Sequence, residues 1–125
     1  MKKIKVVHYI NQFFGKIGGE DMASVTPRFE EGPVGIGEMI VSSSEGDIQI
    51  VRTIICGDNY AAENLEEFTK TILPWVEEVK PDLVMAGPAF AAGRYGTACG
   101  ILCQEVQTRL GIPAISAMHP LNPGV

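Results

Sequence analysis

Two short stretches concentrate the side chains able to do chemistry. Cys56-Gly57-Asp58-Asn59-Tyr60 sets a carboxylate, an amide and a phenol directly after an apolar run. Asp58 and Asn59 there can bind a polar ligand or orient a base. They can equally close a strand-end turn by bonding their own backbone. The second stretch is GPAFAAGRYGTACG, residues 87–100. Its glycines and proline shape a turn, and a helical pattern follows. A helix N-terminus offers free N–H groups and partial positive charge, which suit a carboxylate or phosphate. Arg94, between Gly93 and Tyr95, adds a planar fork that grips a carboxylate through two bonds. It can also simply pair with a surface acid. The spacing is neither GxGxxG nor that of a nucleotide-binding P-loop, so no nucleotide is implied.

Other reactive types are less directive. Cys99 and Cys103 lie four apart on one helical face, without the Cys-x-x-Cys spacing of a thioredoxin-like centre. Buried, inert thiols are the common outcome for free cysteine. Cys56 and His119 both end strands, but nothing in their spacing calls for zinc, and no metal is expected. Glu20 and Asp21 follow Gly18-Gly19 and can meet a cationic amine or stay solvated. His8 falls inside an apolar run and Trp75 follows a helix proline; both are expected to pack.

The elements that position these residues are legible as short apolar runs. Ile4–Ile10, Ile48–Cys56, Asp82–Gly87 and Ala114–Met118 are β-branched and nearly continuous, as in strands buried on both faces of a parallel sheet. Between them, Leu65, Phe68, Ile72, Val76 and Val79 recur at helical steps over 64–80, with Asn64 as N-cap. Pro74 predicts a kink or break near Lys70–Leu73. Ala98, Leu102, Val106 and Leu110 predict a helix over 94–110, ended by Gly111 and Pro113. The glycine-rich stretch 11–38 reads as a long functional or mobile loop, followed by a weak helix over 37–43. Strands alternating with helices give βαβ units. The expected fold is a small doubly wound, flavodoxin- or Rossmann-like α/β sheet, mostly parallel, forming one domain over 1–125. Ligands of such folds bind beyond the carboxyl ends of the strands. Those ends are 11–19, 56–60, 87–93 and 118–123, and all are rich in Gly, Pro, Asn or Asp.

Composition fits this picture. The chain has 125 residues, 46% hydrophobic and 20% charged, enough for a real core. A net charge of -5 without a basic stripe argues against nucleic acid. No apolar run approaches a membrane span, and the N-terminus lacks a signal-peptide pattern. With three cysteines in no disulfide framework, the expected compartment is the cytoplasm.

Four segments carry a family resemblance: KIKVVHYINQFFGKIGGED, TIICGDNYAAENLEE, PDLVMAGPAFAAGRYGTACG and GIPAISAMHPLNPGV. In the same order, they resemble the N-terminal part of selenoprotein B, a component of glycine, sarcosine and betaine reductases. The resemblance implies a substrate-recognition component of a thioredoxin-dependent complex that cleaves a carbon–nitrogen bond reductively. It implies a partner subunit with a pyruvoyl group, which forms a Schiff base with glycine. It also implies a selenocysteine in the later part of selenoprotein B, transfer of a carboxymethyl group to selenoprotein A, and acetyl phosphate as product. The selenocysteine segment is expected beyond Val125, so this chain is expected to be inactive alone, as a fragment, a split subunit or a stand-alone protein. It carries no cofactor of its own in this reading.

The resemblance suggests Arg94 and the N–H groups around Gly93 for a substrate carboxylate, with Tyr95 beside them. Asp58, Asn59 and Tyr60 would line the amine side. Glu20 and Asp21 would close over the ligand or meet the pyruvoyl-bearing partner. Two other readings stay open: an assembly module docking that partner, through 13–19 and 29–37, and a small-molecule sensor. Self-association into a homo-oligomer such as a dimer is expected if an apolar sheet face is left uncovered.

Overall fold

The structure is a computed structural model and describes residues 3–90, 92–118, 122 and 124. Five strands form one sheet: β1 (Ile4–Asn11), β2 (Arg28–Glu31), β3 (Ile48–Cys56), β4 (Leu83–Phe90) and β5 (Ala114–Met118). Their order across the sheet is β2-β3-β1-β4-β5. All neighbours run parallel except β2, which pairs antiparallel with β3. The expected mostly parallel α/β sheet with flanking helices is what forms. The parallel strands follow the flavodoxin-type winding, in which strand order reverses beside the first strand. That switch point lies between β1 and β4.

Helices α1 (Ile36–Ser43), α2 (Asp58–Glu63), α3 (Leu65–Val79) and α4 (Gly93–Glu105) flank the sheet. The main core lies under α3 and α4, where Val7, Tyr9, Ile54 and Val84 meet Phe68, Ile72, Val76 and Leu102. Burying each such side chain stabilises the fold by about 1.5–3 kcal/mol. Residues alternate along β1, so Val6, His8 and Ile10 face the other way. There α1 closes in, its Gly37 lying against His8 and Ile50.

Several expectations need correction. The stretch 11–38 is not one loop. It contains a 3-10 turn at Glu20–Met22 and the strand β2. β2 is RFEE, whose charges hide it from hydrophobic patterning, and pairing with β3 makes it a strand. Helix α3 runs unbroken through Pro74. The proline sits on the exposed side, where the carbonyl it leaves unbonded can face water. Asn64 precedes α3 but makes no side-chain cap; its amide donates to the Tyr60 carbonyl at 3.2 Å. The last helix passes from α4 into a π-helical turn, Val106–Leu110, before Gly111 ends it at φ 67°.

β3 carries one buried charge that the apolar pattern does not anticipate. Arg52 donates to Glu31 at 3.0 Å, to Glu78 at 2.9 Å and to the Trp75 carbonyl at 3.1 Å. Its guanidinium stacks 4.0 Å over the Phe29 ring, against which Trp75 also packs. The two edges of the sheet differ in composition. β2 presents two glutamates, whereas β5, AISAM, carries no charge and exposes Ile115. Among the described residues, no helix is long and apolar enough to cross a membrane.

Candidate functional site

The strand after which the chain reverses direction across a sheet leaves a crevice, because its neighbours' connections depart to opposite sides. Here the crevice is a cleft of about 340 Å3. Asn11, Gln12 and Phe14 line it from the end of β1, Asp58 from the end of β3, and Ala89, Phe90 and Tyr95 from β4 and the start of α4. Glu20 reaches its rim from the first loop. The sequence points to these strand ends for a site, and three of its candidates, Asp58, Glu20 and Tyr95, line this cleft.

Asp58 is held by its neighbours rather than by water. It is only 6% exposed. Its Oδ2 accepts from the Asn11 side-chain amide at 3.0 Å, and its backbone N–H donates to Gln12 Oε1 at 3.0 Å. Its Oδ1 has no hydrogen-bond partner among the described residues. Burial pushes the Asp58 carboxyl above the ordinary range, and the Asn11 bond and the Arg94 charge pull it partly back. Gly57 sets this geometry. A Cβ there would lie 2.2 Å from the Ala23 carbonyl oxygen, so only glycine lets the 23–25 segment approach. That same carbonyl accepts from the backbone N–H of Asn59 at 2.7 Å. The stretch expected to be a strand-end turn is thus the first turn of α2, and its N–H groups bond the protein's own chain.

Arg94 projects from the first turn of α4 and engages Asn59 Oδ1 and Glu20 Oε1. Arg94, Asn59 and Glu20 are therefore brought together, and of the three Glu20 lines the strand-end cleft. Gly93 and Arg94 line a different cleft, of about 230 Å3, with Ala62, Leu65 and Thr97. Tyr60 packs against the core cluster and does not line the strand-end cleft. Asp21 is exposed in the 3-10 turn and does not line it either.

Sequence reasoning missed the aromatic side of the cleft. The Phe14 ring lies 5.9 Å from both the Phe90 and Tyr95 rings, centroid to centroid, and Phe13 stacks edge-on to Phe14 at 5.3 Å. Tyr95 itself is 1% exposed. Its hydroxyl, like that of Tyr9 beneath it, makes no hydrogen bond of normal geometry among the described residues. Burial raises both phenols; the Asn11 backbone opposes the rise of Tyr95, and the Asp58 charge adds to each. Asn122 braces the wall from behind, donating to the Phe90 and Ala92 carbonyls at 3.0 Å each.

The remaining reactive types are structural. All three cysteines are free and buried. Burial pushes the Cys56 thiol up to about 12 and Cys103 to about 11, and it raises Cys99, which lies beyond the first turn of α4. His8 is fully buried, with Nε2 2.7 Å from the Gly87 carbonyl oxygen; burial lowers its pKa, and that bond opposes the drop. Among the described residues, no group of three or more His, Cys, Asp or Glu is placed to hold a metal. His119, the imagined partner of Cys56, lies outside the described residues, as does most of 118–123.

Fold and cleft together define an open α/β sheet with a crevice at its switch point. Residues 3–125 match the glycine/sarcosine/betaine reductase selenoprotein B family, and the chain belongs to that family. Over its full length it is 55% identical to the gamma subunit of component B of the glycine reductase complex of Carboxydothermus hydrogenoformans. It is 47% identical over its full length to the beta subunit of component B of the sarcosine reductase complex of Peptoclostridium acidaminophilum. It is 43% identical, over 97% of its length, to the beta subunit of component B of the betaine reductase complex of that organism. The chain spans 29%, 29% and 28% of the length of these three relatives. No solved structure matches it.

Proposed function

We propose that the chain is the substrate-side domain of selenoprotein B in a reductase complex acting on glycine or an N-methylated glycine. The observation that carries this reading is the convergence of Asn11, Gln12, Asp58, Glu20 and Tyr95 on one cleft at the switch point, with Arg94 paired to Glu20. In this reading the Arg94 fork, with the N–H groups around Gly93, takes the substrate carboxylate. Glu20 occupies that fork in the free chain, so binding exchanges one carboxylate for another. Asp58 and Asn59 face the amine, with Tyr60 supporting them from the core. Glu20 and Asp21, once displaced, meet the partner subunit that bears the pyruvoyl group.

The redox step belongs elsewhere in the complex. Thiols act as nucleophiles only when ionised. With Cys56 near 12 and Cys103 near 11, these two thiols stay protonated at neutral pH. That supports a division of labour in which the selenocysteine segment of selenoprotein B cleaves the bond. Selenoprotein A then carries the two-carbon product on toward acetyl phosphate, with electrons from thioredoxin.

The test is reconstitution of the complex with Arg94→Ala. Loss of a charge-assisted bond should raise the KM for the amine at least about tenfold with the circular dichroism unchanged. An unchanged KM would overturn the assignment of Arg94. One observation favours a second reading, in which the domain docks the pyruvoyl-bearing subunit without touching substrate. Phe13 is 64% exposed at the cleft mouth, as an interface anchor would be. Phe13→Asp would then abolish assembly while Arg94→Ala changed nothing.

A further inference from the structure

We propose that the β5 edge and the groove beside it seat the remainder of selenoprotein B: a helix lies in the groove against α4 and leads into a sixth strand, parallel to β5. The inference goes beyond the reading above and does not depend on which ligand the strand-end cleft takes.

The groove has a volume of about 800 Å3 and runs between the last helix and β5. Gly100, Cys103, Gln104, Gln107 and Thr108 form its wall, on α4 and the π-helical turn that continues it. They recur at three- and four-residue steps and so make one stripe. No member of that stripe is charged. The charges of this helix, Glu105 and Arg109, lie on its other flank, in the groove toward α3. Ala114, Ser116 and Met118 make the floor, on the face of β5 that α4 covers. The β5 strand, AISAM, also has no charge with which to refuse a neighbour.

Edge and groove are related by the handedness of the fold. Helix α4 carries the chain from β4 to β5 across one face of the sheet. A strand added beyond β5, and parallel to it, continues in the same direction. Its right-handed crossover therefore runs over that same face. The helix of such a unit comes down beside α4, where the groove lies, and Gly100 leaves room for a close approach.

The chain itself is led to this place. Asn122 is 4% exposed and donates to the Phe90 and Ala92 carbonyls at 3.0 Å each. Its Oδ1 accepts from the Gly124 N–H at 2.9 Å. A Cβ at Gly100 would lie 2.5 Å from the Gly124 carbonyl oxygen, so Gly124 passes directly over α4. Gly124 also lines the groove. The chain that leaves β5 is thus turned back onto α4 at the groove's end. The family supplies further chain to fill it, since this chain spans under a third of each relative described above. With this chain at the N-terminal end of selenoprotein B, as the resemblance has it, that remainder starts where the groove opens.

The test compares this 125-residue chain with selenoprotein B of full family length that begins with it. Gln107→Cys puts a thiol on the exposed wall of the groove, while Cys56, Cys99 and Cys103 are buried. Maleimide labelling there, read peptide by peptide in a mass spectrometer, should be at least about tenfold slower in the full-length protein. Thr108→Cys, also exposed, replaces it if that variant fails to fold. Hydrogen exchange of the peptide covering 114–118 should slow by about tenfold or more as well. Because one unit fills both places, Gln107→Trp should restore fast exchange at 114–118 in the full-length protein and leave the melting temperature of the 125-residue chain unchanged. Equal labelling and exchange in the two proteins overturns the proposal. Slowing at only one of the two places, or exchange at 114–118 indifferent to Gln107→Trp, overturns the single unit. Slowing that arises in the 125-residue chain as its concentration rises assigns the edge to a second copy instead and overturns the proposal too.

Discussion

Arg52 and Asp58 are both charged, both 6% exposed, and six residues apart on one strand and its exit. Every other circumstance differs. Arg52 has two carboxylates, a carbonyl and an aromatic face around it. Asp58 has one amide on one oxygen and, among the described residues, nothing on the other. The first is a charge used for structure: it ties the antiparallel edge strand and α3 to the middle of the sheet. The second is left with one oxygen unpaired among the described residues. Burial is the same for both charges; the completeness of their hydrogen bonding is what separates them.

The contrast can be broken most forcefully at the residue next to Asp58. Gly57→Ala drives a methyl group into the Ala23 carbonyl. It should cost about 3 kcal/mol in urea unfolding, at the upper end for overpacking, and should displace Asp58 while leaving the Arg52 cluster intact. Arg52→Ala attacks the other member. Breaking a buried pair costs about 3–5 kcal/mol when the orphaned partner stays buried. Glu31 and Glu78 are 65% and 64% exposed and return to water, so the loss should be nearer about 2 kcal/mol. Ligand binding at the cleft should survive it at temperatures where the variant is folded.

The smallest effect should have the opposite sign. Asp58→Asn keeps the acceptor for Asn11 and removes a buried charge, so near neutral pH it should stabilise the fold by about 1 kcal/mol, or about 3 °C in melting temperature. The folded chain holds the Asp58 proton to higher pH than the unfolded chain, because burial raises its pKa. Wild-type stability therefore falls as pH rises from the ordinary carboxylate range through that raised value. The variant lacks this fall, so its advantage should fade as pH is lowered to about 3.5, below the unfolded carboxylate pKa. Thermal melts at the two pH values decide. A variant less stable than wild type at neutral pH would place Asp58 with Arg52, as a structural charge.

The parallel part of the fold is legible because its strands are buried on both faces and read as apolar runs; β3 and β5 fall where the sequence put them. β2 is not legible, since RFEE gains its conformation only from the neighbouring strand. Nor is α2, whose GDNYAAEN carries turn formers and whose first turn is fixed by the distant Ala23 carbonyl. At the site, Asp58, Glu20 and Arg94 stand out as polar residues at strand and helix ends. Gln12, Phe14 and Phe90 do not. Their residue types are ordinary for a loop, and only the close approach of β1 and β4 assembles them. Arg52 leaves a signal that can be used: a lone cation within an otherwise mostly apolar run asks where its counter-charges lie.

The two rims of the sheet have different fates in a crowded solution. Along β2, Glu30 and Glu31 repel an incoming strand. Along β5 nothing does, and the exposed Ile115 gives such a strand something to rest on. Among the described residues, main-chain pairing is thus discouraged at one rim and undefended at the other.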